Sequence, residues 1–172
     1  IEARVHPTLV PNKNLIANVD GVMNAVLVNG DAVGNTLYYG AGAGAEPTGS
    51  AVCADIVDIA CGNLFSKQIE FTQNQEFSDI DSISSAYYLR VQAKEQMGVL
   101  ADISKSLSEQ NISIEGIYQQ EVQDGDKSVP VIIITQRVQE SAINKAVQNI
   151  KALGCTEGEV SKIRIEHFKT NE

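Results

Sequence analysis

The sequence predicts an α+β protein in two parts, a partial mixed sheet over residues 1–80 and a ferredoxin-like βαββαβ domain over residues 81–172. Three observations predict it. The first half is rich in Gly, Asn and Ala and holds hairpin signals around a glycine-rich loop. The second half runs through strand and helix periodicities in the order strand, helix, strand, strand, helix, strand. Between them, Ser66 to Ser85 is polar and weakly patterned, as a connector is.

In the first half, Arg4 to Val10 reads as a short extended segment ended by Pro11 and Asn12. Leu15, Ile16 and Val19 suit one or two helical turns, stopped by Gly21. Val22 to Val28 is a strand, Asn29-Gly30 a hairpin signal, and Ala32 to Tyr39 the returning strand. After the loop Gly40 to Thr48, a helix is expected from Ser50 to Asn63, with Val52, Ile56, Ile59 and Ala60 on one face and Asp55 and Asp58 on the other.

In the second half, Tyr87, Leu89, Val91 and Ala93 alternate with Tyr88, Arg90 and Gln92 as a strand requires. Met97-Gly98 makes a turn, and Leu100, Ile103 and Leu107 mark an apolar helix face ending at Gln110-Asn111. Ile112 to Val122 is a strand with an irregularity expected at Gly116, and Asp124-Gly125 a hairpin turn. The continuous apolar run Val129 to Val138 predicts a central strand covered on both faces. A second helix from Glu140 to Leu153 buries Ile143, Ala146, Val147, Ile150 and Leu153, and Gly154 stops it. In the last strand Ile163, Ile165 and His167 alternate with Lys162, Arg164 and Glu166, which places His167 inward and leaves Lys162 and Arg164 either in solvent or balancing neighbouring acids. The resulting antiparallel sheet has both helices on one face, and its open face needs a partner, most simply a second copy.

Composition narrows the function. With 43% hydrophobic and 20% charged residues the chain is ordinary globular protein. A formal charge of -9 repels phosphate backbones and anionic membrane surfaces, so neither nucleic acid nor membrane is an expected partner. The chain begins without Met, inside the strand-like phrase Ile1-Glu2-Ala3-Arg4, which suggests a processed chain or a piece of a longer one. The three cysteines Cys53, Cys61 and Cys155 are odd in number and widely spaced, and read as reduced, buried small side chains of a cytoplasmic protein. His6 and His167 have no ligand-like spacing to them, so no metal site is expected.

Gly40-x-Gly42-x-x-Ala45 fits the dinucleotide pattern on paper. A true fingerprint follows a buried parallel strand, whereas the segment Asn35 to Tyr39 reads as antiparallel to its neighbour. Two readings of the loop stay open. Its small residues let a flat ring or a phosphate approach the backbone at a helix start, or they form a tight, close-packed turn.

Several phrases together resemble homoserine dehydrogenase: Val5 to Pro11, Leu15 to Ala25, Gly30 to Gly34, then Tyr39 to Gly44 with Pro47-Thr48 and Ser50-Ala51-Val52. In that family these segments end the catalytic domain, and the glycine-rich loop lies beside the cofactor's nicotinamide. The resemblance implies Gly42, Ala43, Gly44 and Glu46 as cofactor-binding residues, with NADP or NAD as the cofactor of the intact enzyme. It also implies the interconversion of L-homoserine and L-aspartate 4-semialdehyde on the way to threonine, methionine and isoleucine. The family's catalytic lysine, substrate-holding acids and dinucleotide motif have no counterpart in this sequence, so the chain alone is expected to bind no cofactor and to be inactive.

The second half resembles an ACT domain, carried by Tyr87 to Gln92, then Lys94-Glu95-Gln96-Met97-Gly98-Val99-Leu100-Ala101, Ile103, Leu107 and Asn111 to Ile114. The family favours an acid, a basic residue and Pro-Gly in the first loop; here Glu95, Gln96 and Met97-Gly98 stand there. The resemblance implies an amino-acid effector, threonine being the usual one, bound by Glu95, Gln96, Gly98, Val99, Ser113 and Ile114, with Ser113 contributed by a partner subunit, and a homo-oligomer formed through the ACT sheets. The alternative is an ACT domain that only dimerises or assembles and senses nothing.

Overall fold

The structure, a computed structural model, describes residues 1–62, 76–119 and 128–168. The strands in chain order are β1 (Thr8–Leu9), β2 (Met23–Gly30), β3 (Gly34–Ala41), β4 (Ser84–Lys94), β5 (Ile114–Gln119), β6 (Ser128–Thr135), β7 (Val138–Gln139) and β8 (Thr156–Ile165). The α-helices are α1 (Ala45–Ala60), α2 (Val99–Ser108) and α3 (Glu140–Lys151), and 3-10 turns occupy Leu15–Asn18 and Ile80–Ser82. The expected turn at Asp124-Gly125, the ends expected for a helix at Asn63 and a strand at Val122, and residues 66–75 of the expected connector lie outside the described residues.

The chain divides into two compact units: Ile1–Leu9 with Glu76–Glu166, and Val10–Gln75 with His167–Glu172. In the first unit the predicted βαββαβ order is present as β4, α2, β5, β6, α3, β8. The sheet order is β1-β8-β4-β6-β5; β1 is parallel to β8 and the remaining neighbours on this path are antiparallel. The irregularity expected at Gly116 is a register shift between Ile114 and Gly116. Alternation sorts the strands cleanly: Tyr87, Leu89, Val91 and Ala93 of β4 and Val129, Val131, Ile133 and Thr135 of β6 are buried. They meet Val99, Ile103 and Leu107 of α2 and Ile143, Ala146 and Ile150 of α3 in one apolar core. α2 closes on Asn111 at φ 55, a residue that tolerates the left-handed region, so that the Ile112 N–H reaches back to the Leu107 carbonyl at 3.1 Å.

Several side chains sit elsewhere than the sequence predicts. β6 is covered on one face only: Pro130, Ile132 and Ile134 are half-buried on the other, because both helices pack on the same side. Leu100 is 38% exposed, and Val99 takes its place at the core. His167 lies exposed beyond the end of β8. Lys162 and Arg164 face inward, since their register partners on β4 are Leu89 and Tyr87. Both meet Glu140, the first residue of α3, which is 4% exposed. Its carboxylate accepts from Tyr87 Oη at 2.7 Å, Lys162 Nζ at 2.5 Å and Arg164 Nη2 at 2.5 Å. Lys162 also donates to Asn144 at 2.6 Å.

Burial alone would raise the Glu140 carboxyl, but the hydrogen bonds from Lys162, Tyr87 and Arg164 outweigh it and bring it from 4.5 down to about 2. Burial, reinforced by the adjacent carboxylate, pushes the Tyr87 phenol well above its ordinary range, so it stays a donor.

The second unit is a β2–β3 hairpin followed by α1. The hairpin registers from Met23↔Ala41 to Gly30↔Gly34, so Asn29-Gly30 lies within β2 and the turn is Asp31-Ala32-Val33. Gly34, the first residue of β3, stands at φ 74 and closes the hairpin in the left-handed region that glycine favours. α1 starts at Ala45, earlier than predicted, because Gly44 caps it and Pro47 is tolerated in its first turn. No residue of α1 is buried, and Val52, Ile56, Val57 and Ile59 are each more than half exposed. Cys53 and Cys61 are exposed with them, contrary to expectation; Cys155 is buried.

Replacing Glu140 with Gln removes the buried anion that holds two half-buried cations, and lowers stability at pH 7 by about 3 kcal/mol in urea unfolding. A depressed carboxyl stabilises fully above its unfolded value and loses that contribution as pH falls through its folded value. The gap between wild type and E140Q therefore narrows as pH drops from 4.5 towards about 2.

Candidate functional site

β4 leaves the sheet at Lys94, and the chain turns sharply, the Gln96 N–H meeting the Lys94 carbonyl at 3.0 Å. Gly98 stands in the left-handed region at φ 91 as the N-cap of α2, and no side chain caps that helix. The first-turn N–H groups of Val99, Leu100 and Ala101 have no intrahelical acceptor, and the helix dipole makes this end positive. Beside it opens a cleft of about 770 Å³. Ala93 and Val131 line it from the sheet, Glu95, Gln96, Gly98 and Val99 from the loop and helix start, and Gln119 from the end of β5.

Four residues predicted from sequence thus share one cleft: Glu95, Gln96, Gly98 and Val99. Ser113 and Ile114 do not line it; they lie at the opposite end of β5, where Ile114 pairs with Thr135. Lys94, Met97, Leu100 and Gln119 line the cleft without having been singled out as site residues. Gln119 was within reach of the sequence. Counting outward from a turn at Asp124-Gly125 sets it opposite Pro130, next to its actual partner Val131, which also pairs with Val91 of β4.

The cleft's charge pattern is specific. It presents an acid, Glu95, a base, Lys94, and the positive end of a helix. Lys94 also anchors the loop to the start of β8: its N–H donates to the Cys155 carbonyl at 2.9 Å and its Nζ to the Gly154 carbonyl at 2.8 Å. Met97 projects fully into solvent at the loop tip. An arrangement with separate partners for a carboxylate and an ammonium, over a floor of small and branched apolar groups, suits a zwitterionic amino acid.

The glycine-rich loop belongs to the other unit. It follows β3, which is antiparallel to β2, so the dinucleotide fingerprint does not apply. The Gly42 N–H donates to the Val22 carbonyl at 3.0 Å, and the Asn24 amide lies where a Cβ on Gly42 would stand. Gly44 sits at φ 121 with Pro47 close by, a conformation that requires glycine. Gly42 lines a shallow hollow of about 280 Å³ with Asn24, Tyr38, Tyr39 and Gly40, while Ala43, Gly44 and Glu46 lie outside its lining at the helix start. Glu46 in the first turn of α1 opposes a phosphate there, and the missing Pro47 N–H removes a donor. Among the described residues no group of three or more His, Cys, Asp or Glu side chains gathers to hold a metal ion.

Residues 1–57 match the family model for homoserine dehydrogenase, and residues 87–152 match that of the ACT domain, a span that contains every residue lining the larger cleft. The chain is 49% identical to homoserine dehydrogenase of Pseudomonas aeruginosa, with 97% of this chain and 41% of that protein aligned. It is 48% identical to that of Neisseria gonorrhoeae, with 96% and 40% aligned. Among solved structures, a homoserine dehydrogenase from Thiobacillus denitrificans superposes with a TM-score of 0.85 at 44% identity, covering 98% of this chain and 39% of that one. The chain thus spans about two fifths of the length of the curated relatives it matches.

The two glycines at the ends of the cleft's anchors respond differently to substitution. Gly98→Ala forces a side chain into the left-handed region and costs about 1–2 kcal/mol in urea unfolding. Gly154→Ala meets no neighbour within 4 Å and keeps its carbonyl, so its cost stays within about 0.5 kcal/mol.

Proposed function

The chain belongs to the homoserine dehydrogenase family and carries an ACT domain in its second half, and from that premise we propose that it is the regulatory part of an NAD(P)-dependent enzyme interconverting L-homoserine and L-aspartate 4-semialdehyde, with the ACT cleft sensing L-threonine. The observation that carries the reading is the convergence of Glu95, Gln96, Gly98 and Val99 around an uncapped helix start.

In this reading the effector carboxylate accepts hydrogen bonds from the first-turn N–H groups of α2, where the helix dipole favours an anion. Glu95 receives its ammonium. Ser113 and Ile114, remote from the cleft of their own chain, serve the cleft of a second copy. The half-open sheet face bearing Tyr88, Ile132, Ile134 and Ile163 supplies the apolar surface through which two ACT sheets pair. The ligand regulates the enzyme only insofar as it binds the active and inhibited states unequally.

The glycine-rich loop takes the cofactor's nicotinamide end rather than its phosphates. Backbone at Gly42, Ala43 and Gly44 admits a flat ring, whereas Glu46 and Pro47 disfavour an anion at the same helix start. The nicotinamide, when bound, supplies or accepts the hydride. This chain's residues there shape the ring's surroundings, and no proton-transferring residue is assigned among them. The exposed apolar side chains of α1 fit packing against the remainder of the enzyme, and the chain alone transfers no hydride.

Calorimetric titration of the chain with L-threonine, alongside serine, isoleucine, methionine and lysine, tests the sensing role. Saturable heat is expected with threonine, and Glu95→Gln weakens that affinity about tenfold or more by removing a charged hydrogen-bond partner. No heat with any of the five amino acids overturns sensing and leaves an ACT domain that only assembles.

A further inference from the structure

Residues 1–9 fall in the homoserine dehydrogenase match, yet they are built into the ACT unit. The Ile1 amine donates to the Glu76 carbonyl at 2.7 Å, and the Ser78 N–H donates to the Ile1 carbonyl at 2.8 Å. Arg4 reaches Ser85 Oγ at 3.3 Å with its side chain 14% exposed. Thr8 and Leu9 then pair in parallel with Arg164 and Ile165, and the Glu166 N–H donates to the Leu9 carbonyl at 3.0 Å. One residue later the chain enters the other unit at Val10.

β1 is therefore the strand by which the enzyme segment is joined to the ACT sheet, and it is the kind of element that has two states. It is two residues long and lies at the sheet edge, held by a few backbone hydrogen bonds. Such elements open at far lower free energy than the core they border. Its partner β8 is held at both ends by groups tied to the rest of the unit. At the near end, Lys94 of the cleft binds the Gly154 and Cys155 carbonyls immediately before β8. At the far end, Arg164, the register partner of Thr8, is fixed by Glu140.

We propose that β1 is an edge-strand latch: occupancy of the cleft shifts β8 through Lys94, and the shift changes how firmly β1 is held against Arg164 and Ile165. Because β1 runs directly into Val10, paired and unpaired β1 present the enzyme segment with two different restraints. The proposal rests on the sensing role assigned above and names how it is transmitted. Linkage makes it testable from either end. If ligand binding shifts the latch, opening the latch shifts ligand affinity by the same factor.

Glu166→Pro removes the N–H that donates to the Leu9 carbonyl while leaving every cleft residue in place, and Glu166→Ala keeps that N–H as a control. Hydrogen exchange of the whole chain confirms that Leu9 and Val10 are freed in E166P and not in E166A. L-Threonine affinity is then measured by calorimetry on all three. The expected result is a shift of about threefold or more in E166P and none in E166A, with threonine altering exchange at Leu9 and Val10 in the wild type. Equal affinity in E166P and wild type, with β1 demonstrably opened, overturns the latch and leaves sensing intact. Absence of binding by the wild type overturns both.

Discussion

The ACT unit is organised around one carboxylate. Glu140 stands at the first position of α3, almost without solvent, and three elements converge on it: Tyr87 from β4, Lys162 and Arg164 from β8, and the start of α3 itself. A buried anion with any of these partners missing would be costly, so the side chains fix one another's positions. The helix dipole adds to the effect, since an acid in the first turn of a helix faces its positive end. The register of β8 on β4 follows from this cluster, because slipping the strand by one residue would turn Lys162 and Arg164 to the open face and Ile163 inward.

Positions far from Glu140 inherit that registration. With β8 fixed, the two residues just before it, Gly154 and Cys155, fall where Lys94 can bind both carbonyls, and this sets the direction in which the chain leaves β4. Gly98 then reverses the chain through a left-handed turn and leaves the N–H groups of α2 facing open space. The cleft is thus a by-product of sheet geometry and one glycine, with an uncapped helix start as its main polar feature. The other end of β8 receives β1. A single strand therefore touches the polar cluster, the cleft loop and the segment that leads into the second unit.

Much of this was legible in the sequence. Alternation in Tyr87 to Ala93, helical spacing in Ile143 to Ile150, and the turn residues between them were enough for the βαββαβ order, because each element carries its own period. The loop Glu95 to Val99 stood out through its resemblance to the ACT family, and Glu95, Gln96, Gly98 and Val99 do line one cleft beside a helix start. What escaped was pairing between distant segments. Lys162 and Arg164 read as solvated charges or as partners of some acid, but nothing local names Glu140 as that acid, and alternation alone does not say which face of a strand is inward. His167 looked like a core residue because the alternation was carried past the point where β8 ends. The Ile-rich run of β6 looked like a strand covered on both sides; half of it lies on a face that both helices avoid. Asn29-Gly30 looked like a turn, yet a left-handed residue was supplied four positions later by Gly34. Nothing in Thr8 and Leu9 announces a strand of the ACT sheet, since two residues carry no period.

That last feature bears on how the molecule can be divided. The regions matched by the two families suggest a cut somewhere between residues 57 and 87, but the folding unit does not respect it. A protein severed there would release an ACT domain whose β8 keeps β4 on one side but has lost β1 on the other, with an open edge around Ile165, and an enzyme segment trailing a peptide that belongs elsewhere. Swapping regulatory domains between such enzymes would meet the same obstacle. The graft would have to carry nine residues from the far side of the enzyme segment, and a recipient's own residues there would be asked to complete a foreign sheet.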